Sequence, residues 1–370
     1  MAPHIPLVDL SHVQLQVADT IREGFNRVIA ESSFVLGPQV TEFEEAWASY
    51  CGTAFALGVG NGTDAVELAL RAAGIGAGDE VILPTNTFVA TAGAVCRTGA
   101  TPVLADCDED FLLTPTEVAD RMTPRTKAVI GVHLYGQTAP MEIIGQVVRD
   151  DVVLVEDVAQ AQGARRHGIR AGGLGQVAAT SFYPGKNLGA YGDAGAVMTS
   201  SAEIMDQLRK LRNHGGVARY EHMEVGFNSR LDTLQAVVLN AKLALLDQWN
   251  YQRVEAANYY GELLEDLEEV SLPRSIHGND HVFHLYVVRV PARDRDRVVA
   301  ELNAQGIGAG IHYPQPVHML PAYAHLGHQK GAYPVAESCS RQILSLPLYP
   351  GISAAQQEQV ALAFRSTLRG

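Results

Sequence analysis

Between residues 55 and 200, short apolar runs alternate with amphipathic segments. The runs at residues 80–84, 101–105, 127–133 and 152–157 are short and rich in Val and Ile. Apolar character that is continuous rather than alternating marks strands buried on both faces. Between them, Thr114-Pro115-Thr116-Glu117 has a capping-box pattern with Pro at the first helical position, and Pro140 opens a helix leading to Val148. Each strand is thus followed by a crossover helix, which predicts an α/β fold with a mostly parallel sheet under helices.

Before this core, Asp19 is placed to cap a helix with Ile21, Phe25, Val28 and Ile29 on one face, an N-terminal packing or interface arm. After it, residues 232–246 and 254–267 read as two long helices, the second leading out of the core. Past residue 271 the pattern restarts with a strand at 282–290, a helix at 294–305 and a last helix from Ser353. The division this predicts is an arm and large domain over residues 1–250, then a linking helix and a smaller α+β domain over residues 251–370.

Composition narrows the function classes. The chain has 370 residues, 47% of them hydrophobic, which is enough for two cores. Its formal net charge of −13 opposes a phosphate backbone, so general nucleic-acid binding is not expected, although a local pocket can still hold a small anion. There is no long uncharged apolar run, and the start, Met1-Ala2-Pro3-His4-Ile5-Pro6, lacks the regions of a signal peptide; the expectation is a cytoplasmic enzyme without a membrane partner. Cys51, Cys96, Cys107 and Cys339 form no CxxC pair, and the 13 histidines contain no HExxH, so neither a disulfide framework nor a metal site is expected.

Three segments carry chemistry. Gly58-Val59-Gly60-Asn61-Gly62-Thr63-Asp64 follows a strand and runs into a helix, where small residues let N–H groups and the positive helix end approach a phosphate. Alone, it reads equally as a turn with a cap at Thr63 or Asp64. Residues 152–157 deliver Asp157 at a strand's C-terminal end, where open parallel sheets bind ligands, with Gln160 a short step on. A strand-end acid can also be a helix cap. Lys186 stands in Ser181-Phe182-Tyr183-Pro184-Gly185-Lys186-Asn187-Leu188-Gly189, flanked by glycines that support neither helix nor strand; a solvated surface lysine is the plain alternative. Together, an anion-binding helix start, an acid and a lysine 29 positions later are what pyridoxal phosphate requires: a phosphate cradle, a partner for the pyridinium nitrogen and a Schiff-base lysine.

These motifs, with Gly226-Phe227-Asn228-Ser229-Arg230-Leu231-Asp232, resemble the DegT/DnrJ/EryC1/StrS sugar aminotransferases, a branch of the aspartate-aminotransferase-like pyridoxal phosphate enzymes of fold type I. The resemblance runs from about Ile5 to Pro350. It implies that Gly62 and Thr63 N–H groups and the Ser181 hydroxyl hold the cofactor phosphate, and that Phe88 stacks on the ring. Asp157 pairs with the ring nitrogen, and Gln160 meets the ring hydroxyl. Asn228 reaches the phosphate of a neighbouring subunit, so a homodimer with shared sites is expected. Lys186 binds the cofactor and, once displaced, moves a proton while the amine of L-glutamate passes through pyridoxamine 5'-phosphate to a keto-sugar.

Related deoxysugar dehydratases carry histidine at this lysine, so Lys186 argues for amino transfer; a non-catalytic sensor of the same fold would lack the lysine or its acid. The stretches at residues 132–137, 281–286 and 311–314, with His318, resemble enzymes that aminate nucleotide-linked 3-keto-6-deoxyhexoses, with 4-keto sugars as the alternative. Tyr183, His312 and Tyr313 are candidates for contacts to the sugar or its diphosphate, and Arg230 for the donor carboxylate or a diphosphate oxygen.

Overall fold

The structure, a computed structural model, describes residues 4–369. The apolar runs become a seven-stranded sheet: β1 (Phe55–Val59), β2 (Glu80–Pro84), β3 (Thr101–Ala105), β4 (Thr126–Val132), β5 (Val153–Asp157), β6 (Val177–Ser181) and β7 (Gly195–Thr199). The strands lie in the order β1-β7-β6-β5-β4-β2-β3. All pairings are parallel except those of β7, which runs against both β1 and β6. An antiparallel neighbour needs no crossover helix, so residues 182–194, between β6 and β7, are left to form the loop that carries Lys186.

The helices of the large unit are α1 (Ser11–Glu31), α2 (Pro38–Cys51), α3 (Gly62–Ala72), α4 (Val89–Thr98), α5 (Pro115–Arg121), α6 (Met141–Val147), α7 (Ala202–Arg212) and α8 (Thr233–Leu243). They bury both faces of the sheet. Leu57, Val81, Leu83, Ile130 and Val155 pack with Leu68 of α3 and Leu208 of α7. On the other side Phe182 lies edge-on to Phe43 and Trp47 of α2, at 5.3 and 5.4 Å between ring centroids. Burial of this kind on both faces is why the strands read as unbroken apolar runs.

A long helix, α9 (Leu246–Leu264), leads to a second core. There β8 (Tyr286–Arg289) and β9 (Ile343–Leu346) pair antiparallel, flanked by α10 (Arg295–Ala304), α11 (Pro334–Gln342) and α12 (Ala354–Leu368). Ser353 and Gln356 close a reciprocal capping box at the start of α12. Tyr260, Tyr286, Leu302 and Phe364 fill this core together with Ile5, so the N-terminal segment packs here rather than on the large sheet. Among the described residues, no helix is long and apolar enough to cross a membrane.

Several local expectations are corrected. Asp19 is not a cap: α1 begins at Ser11, whose N–H is received by Asp9 Oδ1 at 2.8 Å, and Asp19 lies mid-helix in solvent. The buried face is Val13, Val17, Ile21 and Val28, and Ile29 is exposed. The helix placed at 254–267 starts at Leu246. At α5 the Thr114 hydroxyl does accept the Glu117 N–H, but the Glu117 carboxylate turns instead to the Asp106 N–H at 2.8 Å. The strand expected from residue 282 starts only at Tyr286, because residues 281–285 leave the ladder to pack on the turn after β4, with the Val282 N–H donating to the Gly136 carbonyl at 2.9 Å.

Candidate active site

A cavity of about 680 Å³ opens at the C-terminal ends of β4, β5 and β6, facing the N-termini of α3 and α4. Its walls bring together Gly62, Thr63, Phe88, Asp157, Gln160, Ser181, Tyr183, Lys186, His312 and Tyr313. Those residues span 251 positions, from Gly62 to Tyr313; the ends of the parallel strands deliver most of them to one edge, and His312 and Tyr313 come from the stretch between α10 and α11.

At one end lies the start of α3. Its N-cap is Asn61, not Thr63 or Asp64: Asn61 Oδ1 accepts the Asp64 N–H at 2.8 Å. Gly62 and Thr63 occupy the first helical turn, where N–H groups have no intrahelical acceptor. The chain passes so close to β6 that a Cβ on Gly62 would lie 2.4 Å from Ser181 Cβ. Glycine is what allows two sets of backbone groups and the Ser181 hydroxyl to converge on one anion-sized space. Ser229 braces the turn, donating to Asp64 Oδ2 at 2.8 Å and accepting the Gly60 N–H at 3.0 Å.

Asp157 stands at the other end. Its carboxylate receives the Thr91 O–H at 2.8 Å and the Ala159 N–H at 3.1 Å, and Thr91 in turn is 2.8 Å from Thr87 Oγ1. Gln160 is oriented by the backbone: Oε1 accepts the Tyr135 N–H at 2.7 Å, so Nε2 is the donor, and it meets Tyr313 Oη at 3.0 Å. One Nε2 hydrogen stays available to the cavity. The Phe88 and Tyr313 rings face each other at 5.2 Å, tilted by 35°.

The Lys186 loop is a compact, internally bonded turn. Gly189 approaches Pro184 so closely that a Cβ would fall 2.3 Å from the Pro184 carbonyl oxygen. Gln162, fully buried, staples the loop by donating to the Ser181 and Leu188 carbonyls at 2.9 and 3.2 Å and accepting the Leu188 N–H at 2.7 Å. From α8, Lys242 donates to the Gly189 carbonyl at 2.7 Å. Burial pushes the Lys186 amine down to about 8, against an opposing pull from the Asp157 charge. The same burial, and the Lys186 charge, hold the His312 and His284 imidazoles below their usual range.

Asn228 and Arg230 are not brought to the cavity of their own chain. With Ser229 buried in an extended stretch, its two neighbours face away; Asn228 is exposed, and Arg230 donates to Asn213 Oδ1 at 3.2 Å. Conversely, Thr91, Gln162 and His284 hold or line the site without having been singled out. Thr91 and Gln162 carry no local signal of their partners; His284 lies in a stretch noted only for its resemblance.

The cavity fits pyridoxal phosphate: unpaired helix-start N–H groups, with Gly62 packed too closely on Ser181 to carry a Cβ, an acid, and an amine whose affinity for protons is lowered. Comparison with known proteins agrees. A family model described as the DegT/DnrJ/EryC1/StrS aminotransferase family matches residues 16–365. The chain is 45% identical to a dTDP-3-amino-3,4,6-trideoxy-alpha-D-glucose transaminase of Streptomyces venezuelae, over 98% of this chain and 96% of that one. It is 42% identical to a dTDP-3-amino-3,6-dideoxy-alpha-D-galactopyranose transaminase of Aneurinibacillus thermoaerophilus, over 97% and 98% of the two. The crystal structure of S. venezuelae DesV in complex with a ketimine intermediate superposes with a TM-score of 0.95 at 44% identity, covering 99% of this chain and 98% of that one. The chain thus belongs to the DegT/DnrJ/EryC1/StrS aminotransferase family and is a pyridoxal phosphate-dependent aminotransferase of fold type I.

Proposed function

We propose that this enzyme moves an amino group from L-glutamate to a nucleotide-linked 3-keto-6-deoxyhexose, thymidine diphosphate-linked, as a cytoplasmic homodimer with shared sites. The observation that carries this reading is the convergence of Lys186, Asp157 and the Gly62–Thr63 turn on one cavity that also presents Tyr183, His312 and Tyr313. The relatives from S. venezuelae and A. thermoaerophilus, both named for 3-amino sugars, support the 3-position.

Bound in this cleft, pyridoxal phosphate supplies an electron sink for the carbon that loses its proton. In this reading the Gly62 and Thr63 N–H groups and the Ser181 hydroxyl hold the phosphate, and Phe88 covers one face of the ring. Asp157, fixed by Thr91 and Ala159, pairs with the ring nitrogen, and the spare Nε2 hydrogen of Gln160 meets the ring hydroxyl. Lys186 tethers the cofactor and, when released, carries the proton. With its amine near 8, about a tenth is in the base form at pH 7, against roughly 3 in 10,000 for an ordinary lysine. Tyr183, His312 and Tyr313 take the sugar or its diphosphate.

Asn228 and Arg230 serve the cleft of a second copy, Arg230 taking a carboxylate or diphosphate oxygen. In support, Phe34, Val35 and Leu36 are exposed apolar residues, Val35 bridging to Asp232 and the Phe34 carbonyl accepting the Thr233 N–H at 3.1 Å, which leaves an uncovered face beside Arg230 that a partner would bury.

The test starts with protein converted by L-glutamate to its pyridoxamine form and freed of donor. Thymidine diphosphate-linked 3-keto-6-deoxyglucose or its 4-keto isomer is then added separately, and return of the bound pyridoxal absorbance is followed. Recovery with the 3-keto sugar alone is the expected result. Recovery with only the 4-keto sugar overturns the position, and no conversion by glutamate overturns the donor; release of water without amine transfer would mean a dehydratase.

A further inference from the structure

The amide beside Lys186 determines the state of a histidine across the cleft. Asn187 is buried, and one of its terminal atoms lies 3.3 Å from the Val282 carbonyl oxygen, so that atom is the nitrogen; it also donates to Asn250 Oδ1 at 2.8 Å. Asn250 is fixed in the same way, because its Nδ2 donates to the Gln162 carbonyl at 2.9 Å. Asn187 Oδ1 is therefore the acceptor facing His284 Nδ1 at 3.1 Å, and Nδ1 must carry the hydrogen.

Nε2 is left with a lone pair. It takes no partner among the described residues and belongs to a side chain on the wall of the cavity that Lys186 shares. A second proton there is disfavoured by burial first and then by the cationic groups nearby. His284 is buried, with Lys186 and His312 across the cavity and, behind it, the Arg253 guanidinium from α9 donating to the Phe283, His284 and Leu348 carbonyls. Asp157 faces Lys186 from β5, and Asp193, Tyr183 and Tyr313 line the remaining wall. A neutral acceptor of fixed tautomer thus stands on the wall of the cleft, tethered to Asn187, the residue next to the lysine.

We propose that His284 is a positioning residue for Lys186: its unprotonated Nε2 accepts one hydrogen of the free amine and so aims the amine's lone pair at the reacting carbon. The inference rests on the assignment of Lys186 as the proton carrier. A neutral amine has two hydrogens and one lone pair; giving one hydrogen to Nε2 leaves the lone pair directed elsewhere. After the amine takes the substrate proton, the ammonium keeps the same bond, now charge-assisted. The acceptor therefore favours the protonated amine modestly and fixes its direction throughout.

The test exchanges the two nitrogens separately. His284→Asn retains a donor near the Nδ1 position and removes the Nε2 acceptor, whereas His284→Gln retains an acceptor near Nε2 and gives up the donor; His284→Leu replaces the Asn variant if that one does not fold. In the cofactor-free full-length chain, the pH dependence of Lys186 modification by trinitrobenzenesulfonate is read by peptide mass spectrometry, and kcat and KM for L-glutamate are measured on the holoenzyme. The Asn variant is expected to titrate below the wild-type value of about 8 and to lose about tenfold or more in kcat with KM little changed, while the Gln variant keeps both near wild type. Wild-type titration and kcat in the Asn variant overturn the proposal. So does an effect confined to the sugar KM, which would mean that Nε2 meets a substrate hydroxyl. Failure of the underlying assignment looks different: Lys186→Ala would still hold cofactor fixed by borohydride.

Discussion

Gly62→Ala adds a single methyl group at the start of α3. That carbon would lie 2.4 Å from Ser181 Cβ and 3.0 Å from both Ser181 Cα and Oγ. Non-bonded carbons settle at about 3.5–4.0 Å, so the shortfall is about 1 Å. Ser181 cannot retreat, since it is paired with Gly195 of β7 and its carbonyl receives Gln162 Nε2 at 2.9 Å. The first turn of α3 has to lift instead. Overpacking of this kind costs about 1–3 kcal/mol in stability. It also carries the Gly62 and Thr63 N–H groups off the proposed phosphate position, and a hydrogen bond to a charged group contributes about 1.5–3 kcal/mol. Loss of one such bond weakens cofactor binding by about 10- to 150-fold. Gly185→Ala, beside Lys186, is the contrast: its Cβ meets only Tyr183 ring atoms at 3.7 and 3.8 Å, an ordinary contact, so binding should stay within about twofold. The assay is titration of the cofactor-free variants with pyridoxal phosphate, followed by absorbance of the bound form, with thermal unfolding alongside. A Gly62→Ala protein that binds like wild type, or a Gly185→Ala protein that binds as poorly as the other, would refute the cradle.

Three further outcomes are expected. Gln162→Leu leaves the Leu188 N–H and the Ser181 and Leu188 carbonyls without their partner, and should lower stability in urea unfolding by about 3 kcal/mol or more. Thr91→Val keeps the volume but removes the O–H that reaches Asp157 Oδ2, and should weaken pyridoxal phosphate binding about tenfold in the same titration while the fold persists by circular dichroism. Lys186 should titrate near 8 in pH-dependent labelling; because the Asp157 charge favours the ammonium, Asp157→Asn should move that midpoint down, and a midpoint that rose would contradict the assigned sign.

Much of the architecture was readable because it rests on short-range pattern. The runs at 80–84 and 101–105 coincide with β2 and β3 residue for residue, since strands covered on both faces leave an unbroken apolar signature. Pro115 and Ser353 mark helix starts for local steric and hydrogen-bonding reasons. The start of α1 is not legible locally, because Asp19 has a capping side chain in a segment whose apolar period extends back to Val13, and the preceding Asp9 already receives the first free N–H.

By itself, the sequence determined the α/β alternation, the glycine turn before a helix, and the order of acid and lysine along the chain, all properties of residues near one another. What the tertiary structure decided is which groups meet. The direction of β7 depends on the sheet's pairing, and it is this that releases the Lys186 loop from a helical crossover. The contacts of Thr91 with Asp157, Gln162 with Leu188 and His284 with Asn187 span 66, 26 and 97 positions, and no local period encodes a partner at that distance. Burial does the rest: the same lysine on an open loop would stay a solvated cation, and only the walls of this cleft bring its amine into the range of proton transfer.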